Sequence, residues 1–251
     1  MTERDTYQRA AALAAVDLVV SGSVVGLGTG STASFAIEEI GARLTDGRLG
    51  DVLGIPTSEA TATLATRCGI PLVDAGADEV AIAIDGADEI APDLSLVKGG
   101  GGAMLRERIV ASLAQTFVIV ADDGKLVPAL GTGCAVPLEI ARFGAGATLT
   151  HLRSLGHPTL RLDGDELFVT DNGNLVVDLA VDPIEDPGWL DASLRAVPGV
   201  LATGLFIAMA DLVIIAGPGG IDTRHRDDLA TEVGQPAPAP VDHGAVGDTS
   251  G

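Results

Sequence analysis

The chain has 251 residues, 47% of them hydrophobic, so it can bury a sizeable core as one large domain or two smaller ones. Asp and Glu outnumber Lys and Arg by 35 to 15, and the formal charge of −20 repels phosphate backbones and anionic membranes, which excludes nucleic acid and membranes as expected partners. Two distant cysteines predict neither disulfides nor a zinc site, and the absence of a long apolar run or a signal-like N-terminus predicts a soluble cytoplasmic protein.

The first half of the chain alternates helical patterns with short apolar strands. The predicted helices are Asp5–Val20, Thr32–Leu44, Glu59–Arg67 and Ala103–Gln115, and the predicted strands are Ser23–Gly28, Val52–Pro56, Pro71–Asp74, Val80–Asp85 and Phe117–Ala121. Nearly continuous apolar strands separated by helices are typical of a parallel sheet that is covered on both faces. We therefore predict an α/β fold with a Rossmann-like open parallel sheet.

The order of elements changes after about Leu130. The predicted elements there are a strand at Val136–Ile140, a helix at Ala145–Leu155, a hairpin, a helix at Gly188–Ala196 and a strand at Gly199–Thr203. The hairpin is indicated by Asn172-Gly173, which tolerates the positive φ values of a tight turn. A βαββαβ order predicts a ferredoxin-like α+β domain. Because Ala210–Ala216 again resembles a buried parallel strand, this domain is predicted to be an insertion.

The resulting division has three parts. Residues 1–129 plus 204–221 are predicted to form the Rossmann-like catalytic domain, and residues 130–203 the inserted ferredoxin-like α+β domain. Residues 222–251 lack apolar periodicity and include the run QPAPAPV, so we expect a disordered tail.

The first motif with chemical potential is GLGTGSTA, residues 26–33, where a strand ends and a helix begins. Its glycines permit close backbone approach, and the N–H and hydroxyl donors near the helix start favour an anion. The predicted phosphate-binding residues are Thr29, Gly30, Ser31 and Thr32. The motif lacks the lysine of a P-loop, and Ser31 replaces the third glycine of a dinucleotide fingerprint. A purely structural glycine turn is the alternative.

The second motif, AIAIDGADEI, places Asp85 and Asp88 just beyond a buried strand. Open α/β sheets bind ligands at this carboxyl edge. A solvated acidic turn, a metal site or a phosphorylation site would also fit these two carboxylates, and the spacing does not decide between them.

The third motif, LVKGGGGAMLRERIV, combines Lys98 and four glycines with Glu107, which is expected about two turns into the following helix. Each glycine costs roughly 0.5–1 kcal/mol relative to alanine when ordered, so such a loop indicates close approach or positive φ. The alternative for Arg106-Glu107-Arg108 is a solvated helix face with local ion pairs.

The fourth motif, VIVADDGKLV, ends a strand with Lys125. Lys98 and Lys125 are the only lysines, against 13 arginines, which favours positions where a compact ammonium group is needed. A solvent-facing lysine is the alternative.

These four segments, together with VTDNGN and VPGVLATGLF, closely resemble the type A ribose-5-phosphate isomerase family, in the family's order from about residue 5 to 221. The resemblance implies interconversion of ribose 5-phosphate and ribulose 5-phosphate in the non-oxidative pentose phosphate pathway. It implies no redox cofactor and no metal, and a homodimer or homotetramer.

The resemblance also implies roles for individual residues. Residues 29–32 and Lys125 would hold the phosphate, and Asp85 and Asp88 would contact sugar hydroxyls and assist ring opening. Lys98 would stabilise the developing oxyanion, and Glu107 would move the proton between C2 and C1. The remaining substrate-binding residues implied are Gly86, Ala87, Gly99, Gly100 and Gly101. One departure concerns the first helix, where the family can bring a lysine to the phosphate and this chain has Gln8 followed by Arg9.

Two other classes of protein share parts of this pattern. A sugar-phosphate-sensing regulatory module without catalysis would need a DNA-binding domain or a basic surface, and neither is visible in the sequence. A dinucleotide-dependent oxidoreductase is disfavoured by the incomplete glycine fingerprint.

Overall fold

The computed structural model describes residues 2–76 and 79–232. Helices within these ranges are Glu3–Val16 (α1), Ser31–Asp46 (α2), Glu59–Arg67 (α3), Met104–Leu113 (α4), Ala145–Leu152 (α5), Pro187–Arg195 (α6) and Arg226–Glu232 (α7), with a 3₁₀ turn at Asp123–Lys125. Strands are Val24–Leu27 (β1), Leu53–Pro56 (β2), Val80–Asp85 (β3), Glu89–Ile90 (β4), Leu96–Val97 (β5), Ala114–Asp122 (β6), Val136–Ile140 (β7), His157–Leu160 (β8), Leu162–Asp163 (β9), Glu166–Leu167 (β10), Leu175–Ala180 (β11), Val200–Thr203 (β12), Leu205–Phe206 (β13), Leu212–Gly217 (β14) and Gly220–His225 (β15).

The largest sheet has six strands in the order β15-β14-β6-β3-β1-β2. The five strands from β14 to β2 are parallel, and β15 is antiparallel to β14. Residues of α1 and α2 pack against one face and residues of α4 against the other, as expected for strands buried on both sides. This arrangement confirms the predicted Rossmann-like open sheet.

The second sheet has four antiparallel strands in the order β12-β7-β11-β8. Together with α5 and α6, which supply Leu152, Leu190 and Leu194 to its core, it forms the predicted ferredoxin-like α+β arrangement. Its second strand is β8 rather than the segment just before Asn172. That segment contributes one isolated bridge to the turn, between Val169 and Leu175.

A short third sheet, in the order β13-β5-β4, lies beside the glycine-rich segment. In this sheet β5 is hydrogen-bonded on one side to β4 and on the other to β13, which follows the second sheet in the chain. Lys98 follows β5 directly, and its N–H donates to Gly204 O at 2.8 Å. Segments from both halves of the chain therefore hold the backbone at Lys98.

Two further predictions about elements were wrong. The predicted strand at Pro71–Asp74 forms only one bridge, from Leu72 to Gly54, because just two backbone hydrogen bonds connect this segment to β2. The predicted disorder of residues 222–251 fails for residues 222–232, which belong to β15 and α7. Strand β15 pairs along the whole of β14, so backbone hydrogen bonds order it although most of its side chains are exposed. Residues 233–251 lie outside the described residues.

No helix in the described ranges is long and apolar enough to cross a membrane. The division into domains at residues 130 and 203 stays a prediction, although all strands of the second sheet lie within those limits.

Candidate active site

A cavity of about 110 Å³ opens where the carboxyl ends of β1, β3 and β6 meet the loop before α4. It is lined by Arg4, Gln8, Thr29, Gly30, Ser31, Thr32, Gly86, Ala87, Asp88, Lys98, Gly99, Gly100, Gly101, Glu107 and Lys125. The structure therefore brings all four sequence motifs together. Asp85, the remaining predicted residue, lies directly behind the cavity wall in contact with Lys98.

Lys98 occupies the buried end of this cavity, with 2% of its surface exposed. Its Nζ donates to Gly86 O at 2.5 Å and lies 3.0 Å from Asp85 Oδ2 and 3.4 Å from Glu107 Oε2. Burial alone would lower the pKa of Lys98, but the carboxylates of Asp85 and Glu107 outweigh it and raise this pKa. The lysine therefore stays charged between two acidic side chains.

Glu107 lies on the first turn of α4 and is 4% exposed. Burial raises the pKa of Glu107 to about 8, against the opposing effect of Lys98 and with a further upward contribution from Asp85. Its Oε2 is the buried carboxylate oxygen without a hydrogen-bond partner among the described residues. Such a side chain can exchange a proton near neutral pH.

Asp85 has a different environment although burial raises its pKa too. Its Oδ1 accepts hydrogen bonds from Thr29 N at 3.1 Å and Gly86 N at 2.7 Å, and Oδ2 contacts Lys98. Donors to a carboxylate favour its ionised form. Asp85 is therefore held by three donors, whereas Glu107 Oε2 accepts no hydrogen bond from the described residues.

Asp88 and the glycine-rich loop form the next part of the wall. Asp88 Oδ2 accepts a hydrogen bond of 2.7 Å from Gly100 N, which joins the loop after β3 to the loop after β5. A Cβ atom on Gly100 would overlap the Asp88 carboxylate. Glycine leaves room there for the Asp88 carboxylate, which lies where a Cβ atom would be.

The loop after β1 leaves donors at the start of α2. Gly30 is the N-cap with φ +112°, and no side chain caps the helix, so the first N–H groups remain for an anion. The Thr29 hydroxyl does not contribute a donor here, because it bonds to the hydroxyls of Thr57, Ser58 and Thr61 at 2.8, 2.9 and 3.2 Å. Thr29 thus lines the cavity while its N–H holds Asp85.

Helix α1 places Gln8 and Arg4 on the wall, one helical turn apart. Gln8 Nε2 and Arg4 Nε donate to the same oxygen of Asp122, at 2.9 and 3.0 Å. Arg9 does not line the cavity, and its guanidinium lies over the Phe35 ring. The sequence comparison had directed attention to Gln8 and Arg9 and missed Arg4, although the i, i+4 spacing of Arg4 and Gln8 was a usable signal.

Arg161 is a further residue that sequence reasoning missed. It follows β8 in the second sheet and donates from Nη1 to Gly99 O at 3.0 Å and to Gly100 O at 2.9 Å, while its guanidinium pairs with Asp178. The second sheet therefore fixes the carbonyls of the glycine-rich loop.

A larger cavity of about 590 Å³ lies on the second sheet, beside His157, Glu185 and Trp189. None of its lining residues is a Lys or Arg, and none belongs to the four motifs. Within the described ranges, no three His, Cys, Asp or Glu side chains are grouped so that they could hold a metal ion. The smaller cavity is therefore the candidate active site, because it contains the cationic side chains and the four motifs.

A carboxyl group that exchanges protons near neutral pH, a fixed ammonium group beside it and uncapped helix donors define an acid–base enzyme of small anionic substrates. The comparisons with known proteins narrow this class. A family model described as ribose 5-phosphate isomerase A (phosphoriboisomerase A) matches residues 53–220.

Relatives and solved structures agree with this match. The ribose-5-phosphate isomerase A of Roseiflexus castenholzii is 51% identical over 86% of this chain and 93% of its own. That of Chloroflexus aurantiacus is 47% identical over 92% and 98%. The structure of ribose 5-phosphate isomerase A from Methanocaldococcus jannaschii superposes with a TM-score of 0.83, at 38% identity over 87% of this chain and 97% of that one. A D-ribose-5-phosphate isomerase in complex with phospho-erythronic acid gives 0.87, at 33% identity over 89% and 100%.

The chain belongs to the ribose 5-phosphate isomerase A family. The alternative of a non-catalytic sugar-phosphate sensor is not favoured, since the relatives that match along nearly the whole chain are named as isomerases.

Proposed function

We propose that this protein interconverts D-ribose 5-phosphate and D-ribulose 5-phosphate through an enediolate, in the non-oxidative pentose phosphate pathway. Membership of the isomerase family supports this assignment. The observation that carries the mechanism is the cluster of Asp85, Lys98 and Glu107 at the buried end of the cavity, with an ammonium group between two carboxylates.

Glu107 is the proposed base. Its ionised carboxylate takes the proton from C2 of the open-chain aldose, and the electrons of that bond form the C1–C2 double bond of the enediolate while the carbonyl oxygen becomes negative. The same side chain then returns that proton to C1, while the hydroxyl proton on O2 moves to O1, so that the carbonyl forms at C2 and a hydroxyl at C1. Both protons stay on the sugar and no electrons leave it, so the proposed mechanism uses no cofactor and no metal.

Lys98 is the proposed stabiliser of the oxyanion. Its three N–H bonds already face three acceptors, of which the Glu107 contact at 3.4 Å is the longest. When Glu107 takes up the substrate proton it loses its charge, and the Lys98 N–H that faced it becomes available to the enediolate oxygen. Proton transfer and oxyanion stabilisation are thereby coupled through one side chain.

The remaining predicted residues surround the substrate. Asp88 and Asp85 are proposed to bind sugar hydroxyls and assist ring opening, together with the backbone of Gly86, Ala87 and residues 99–101. The start of α2 at residues 30–32 and the ammonium group of Lys125 are proposed to hold the phosphate at the open end. Thr29 supports this loop instead, because its N–H and hydroxyl bond within the protein. This orientation keeps the doubly charged phosphate away from the carboxylates beside Lys98.

The test is turnover of ribose 5-phosphate in the presence of EDTA, followed by ketose formation. We expect turnover that is insensitive to the chelator. A folded protein that produces no ketulose phosphate at low or high salt would contradict the assignment, and chelator-sensitive turnover would restore the metal interpretation of Asp85 and Asp88.

Three further expectations belong to this proposal. The family resemblance favours a homodimer or homotetramer, which light scattering at two protein concentrations would test. The cytoplasmic location and the domain limits at residues 130 and 203 stay predictions, and cell fractionation and limited proteolysis would examine them.

A further inference from the structure

Arg4 lines the cavity although it belongs to none of the four sequence motifs. We infer that Arg4 is a phosphate-binding residue, which acts with Lys125 at the open end of the cavity. This inference rests on the proposed isomerase function, because it names the side chain that holds one end of that substrate.

The supply of positive charge in the cavity limits the choices. Three cationic side chains line it, namely Arg4, Lys98 and Lys125. Lys98 is 2% exposed and its donors face Gly86 O and two carboxylates. A phosphate dianion entering a chain of charge −20 therefore has two cations available, and Arg4 is one of them.

A hydrogen bond to Asp122 holds the Arg4 side chain at the cavity wall. Among the described residues, Asp122 is the hydrogen-bonding partner of the Arg4 guanidinium and accepts only from Nε, at 3.0 Å. Asp122 is 4% exposed, and it receives the Gln8 amide through the same oxygen. The two terminal nitrogens of the guanidinium keep their N–H groups for a ligand, in the fork geometry that suits phosphate oxygens.

The location of Arg4 along the substrate path is also specific. Arg4 and Lys125 line both the inner cavity and an outer cavity of about 660 Å³ that adjoins it. The side chain of Arg4 is 57% exposed, whereas Lys98 and Glu107 are buried. Arg4 thus lies at the mouth, at the opposite end from the proton-transfer cluster, where the phosphate of an inward-pointing aldose would be.

Within the described residues, helix α1 offers no second cation to the cavity wall beside Arg4. Gln8 lies on the cavity wall but is uncharged, and its amide is directed to Asp122. Arg4, one turn earlier on the same face, brings a positive charge to the site that Gln8 cannot supply.

The experiment compares Arg4→Gln with Arg9→Gln, which removes the same charge from the same helix but from a side chain that lies over Phe35 outside the cavity. We expect Arg4→Gln to raise KM for ribose 5-phosphate about tenfold or more, with kcat changed by less than about threefold. The reason is that the charge-assisted contact is made equally in the ground state and the transition state, so its loss weakens binding without slowing the chemical step. The inhibition constant of inorganic phosphate should rise by a similar factor. Arg4→Lys should restore only part of the affinity, because an ammonium group keeps the charge but not the fork. Arg9→Gln should match the wild type, and all variants are measured at one fixed ionic strength.

Several outcomes would overturn the inference. These are an Arg4→Gln variant with unchanged KM and phosphate inhibition, an equal effect in Arg9→Gln, or a loss confined to kcat. The thermal shift caused by inorganic phosphate provides a second readout that needs no turnover. If the wild type does not isomerise ribose 5-phosphate but is stabilised by phosphate, and Arg4→Gln abolishes that shift, the proposed function fails while the phosphate site at Arg4 stands.

Discussion

Glu107 shows how burial turns an ordinary side chain into a proton carrier. In sequence it is one charge in an Arg-Glu-Arg run, where a solvated helix face is the simpler interpretation. In the structure its two arginine neighbours point elsewhere, Arg106 to Glu59 and Arg108 to the backbone of Thr203. Glu107 is left facing Lys98 with 4% of its surface exposed, and this burial raises its pKa to about 8.

Substitution of Glu107 by Gln should cost at least about 100-fold in kcat, because the amide keeps the shape of the side chain but cannot accept the C2 proton. Phosphate binding, followed by thermal shift, should remain close to that of the wild type. Glu38→Gln, on the exposed face of α2, is the matched control and should be fully active. A near-normal rate in Glu107→Gln would remove Glu107 from its role.

The pH dependence of stability gives an independent test of the same residue. The ordinary pKa of Glu107 is 4.5 and burial raises it to about 8, so between these values the folded chain binds a proton that the unfolded chain has released. The contribution of Glu107 to the free energy of unfolding is therefore largest below pH 4.5 and is lost as pH rises through about 8.

We accordingly expect the Tm of the wild type to fall more steeply over this pH window than the Tm of Glu107→Gln. The difference between the two proteins cancels the groups they share, including Asp122. Parallel Tm curves would show that Glu107 does not bind the extra proton. Over the same range kcat/KM of the wild type should rise with pH, because the base must be ionised to act.

The sequence predicted the residues of the site better than it predicted their contacts. Asp85, Asp88, Lys98 and Glu107 could be identified because they follow strands or glycine loops in a recognisable order, and the structure brings them together. The hydroxyl of Thr29 could not be assigned to Thr57, Ser58 and Thr61, because these partners come from a different loop and carry no periodic signal. Arg4 and Arg161 were not predicted because arginines are common in this chain and neither residue belongs to one of the four motifs.

At the scale of elements, the glycine-rich loop before α4 depends on a neighbour from the second sheet. Flexible glycines do not hold a shape by themselves, since each has more backbone freedom to lose than any other residue. Arg161 donates to Gly99 O and Gly100 O, and the Asp88 carboxylate accepts from Gly100 N. Side chains therefore hold the C=O of Gly99 and both the N–H and the C=O of Gly100.

Arg161→Gln should weaken substrate binding without removing a charge from the cavity that contains Lys98. We expect KM to rise about three- to tenfold and protection of the loop from hydrogen exchange to fall, because one of its two anchors is lost. Arg153→Gln, on the exposed C-terminal end of α5, is the matched control. Unchanged loop exchange in Arg161→Gln would show that Asp88 alone orders the loop.

Most helices and strands were predictable because their apolar residues follow simple periods. The exceptions have physical reasons. β15 is ordered by pairing with β14 rather than by an apolar face. The TDNGN turn reverses the chain and also binds a buried carboxylate. Thr170, Asn172 and Asn174 all donate to the fully buried carboxylate of Glu139, which a turn preference in the sequence does not reveal.

At the scale of the whole molecule, the charge of −20 opposes compactness. At an ionic strength of about 0.1 M the screening length is about 10 Å, and at about 1 M it is about 3 Å, so added salt shortens the range of this repulsion. The scarcity of lysine and the abundance of acidic residues would suit a cytoplasm with high salt, although a biased genomic composition explains them equally well.

We expect Tm to rise by several degrees when KCl is increased from about 0.05 to about 1 M, and KM for ribose 5-phosphate to rise in the same series because the phosphate contacts are screened as well. Sucrose at equal osmolality controls for effects unrelated to charge. A protein that is fully folded and equally stable in salt-free buffer would end the high-salt hypothesis.

The small sheet β13-β5-β4 has a consequence for how the protein reaches its native state. Val97 pairs with Leu205, more than a hundred residues later in the chain, and Lys98 N–H donates to Gly204 O. Closing so long a loop is entropically costly, and contacts of large sequence separation form late in folding. During refolding, recovery of isomerase activity should therefore lag behind recovery of helical circular dichroism, because the proton-transfer cluster is assembled only when the chain has returned from its second sheet.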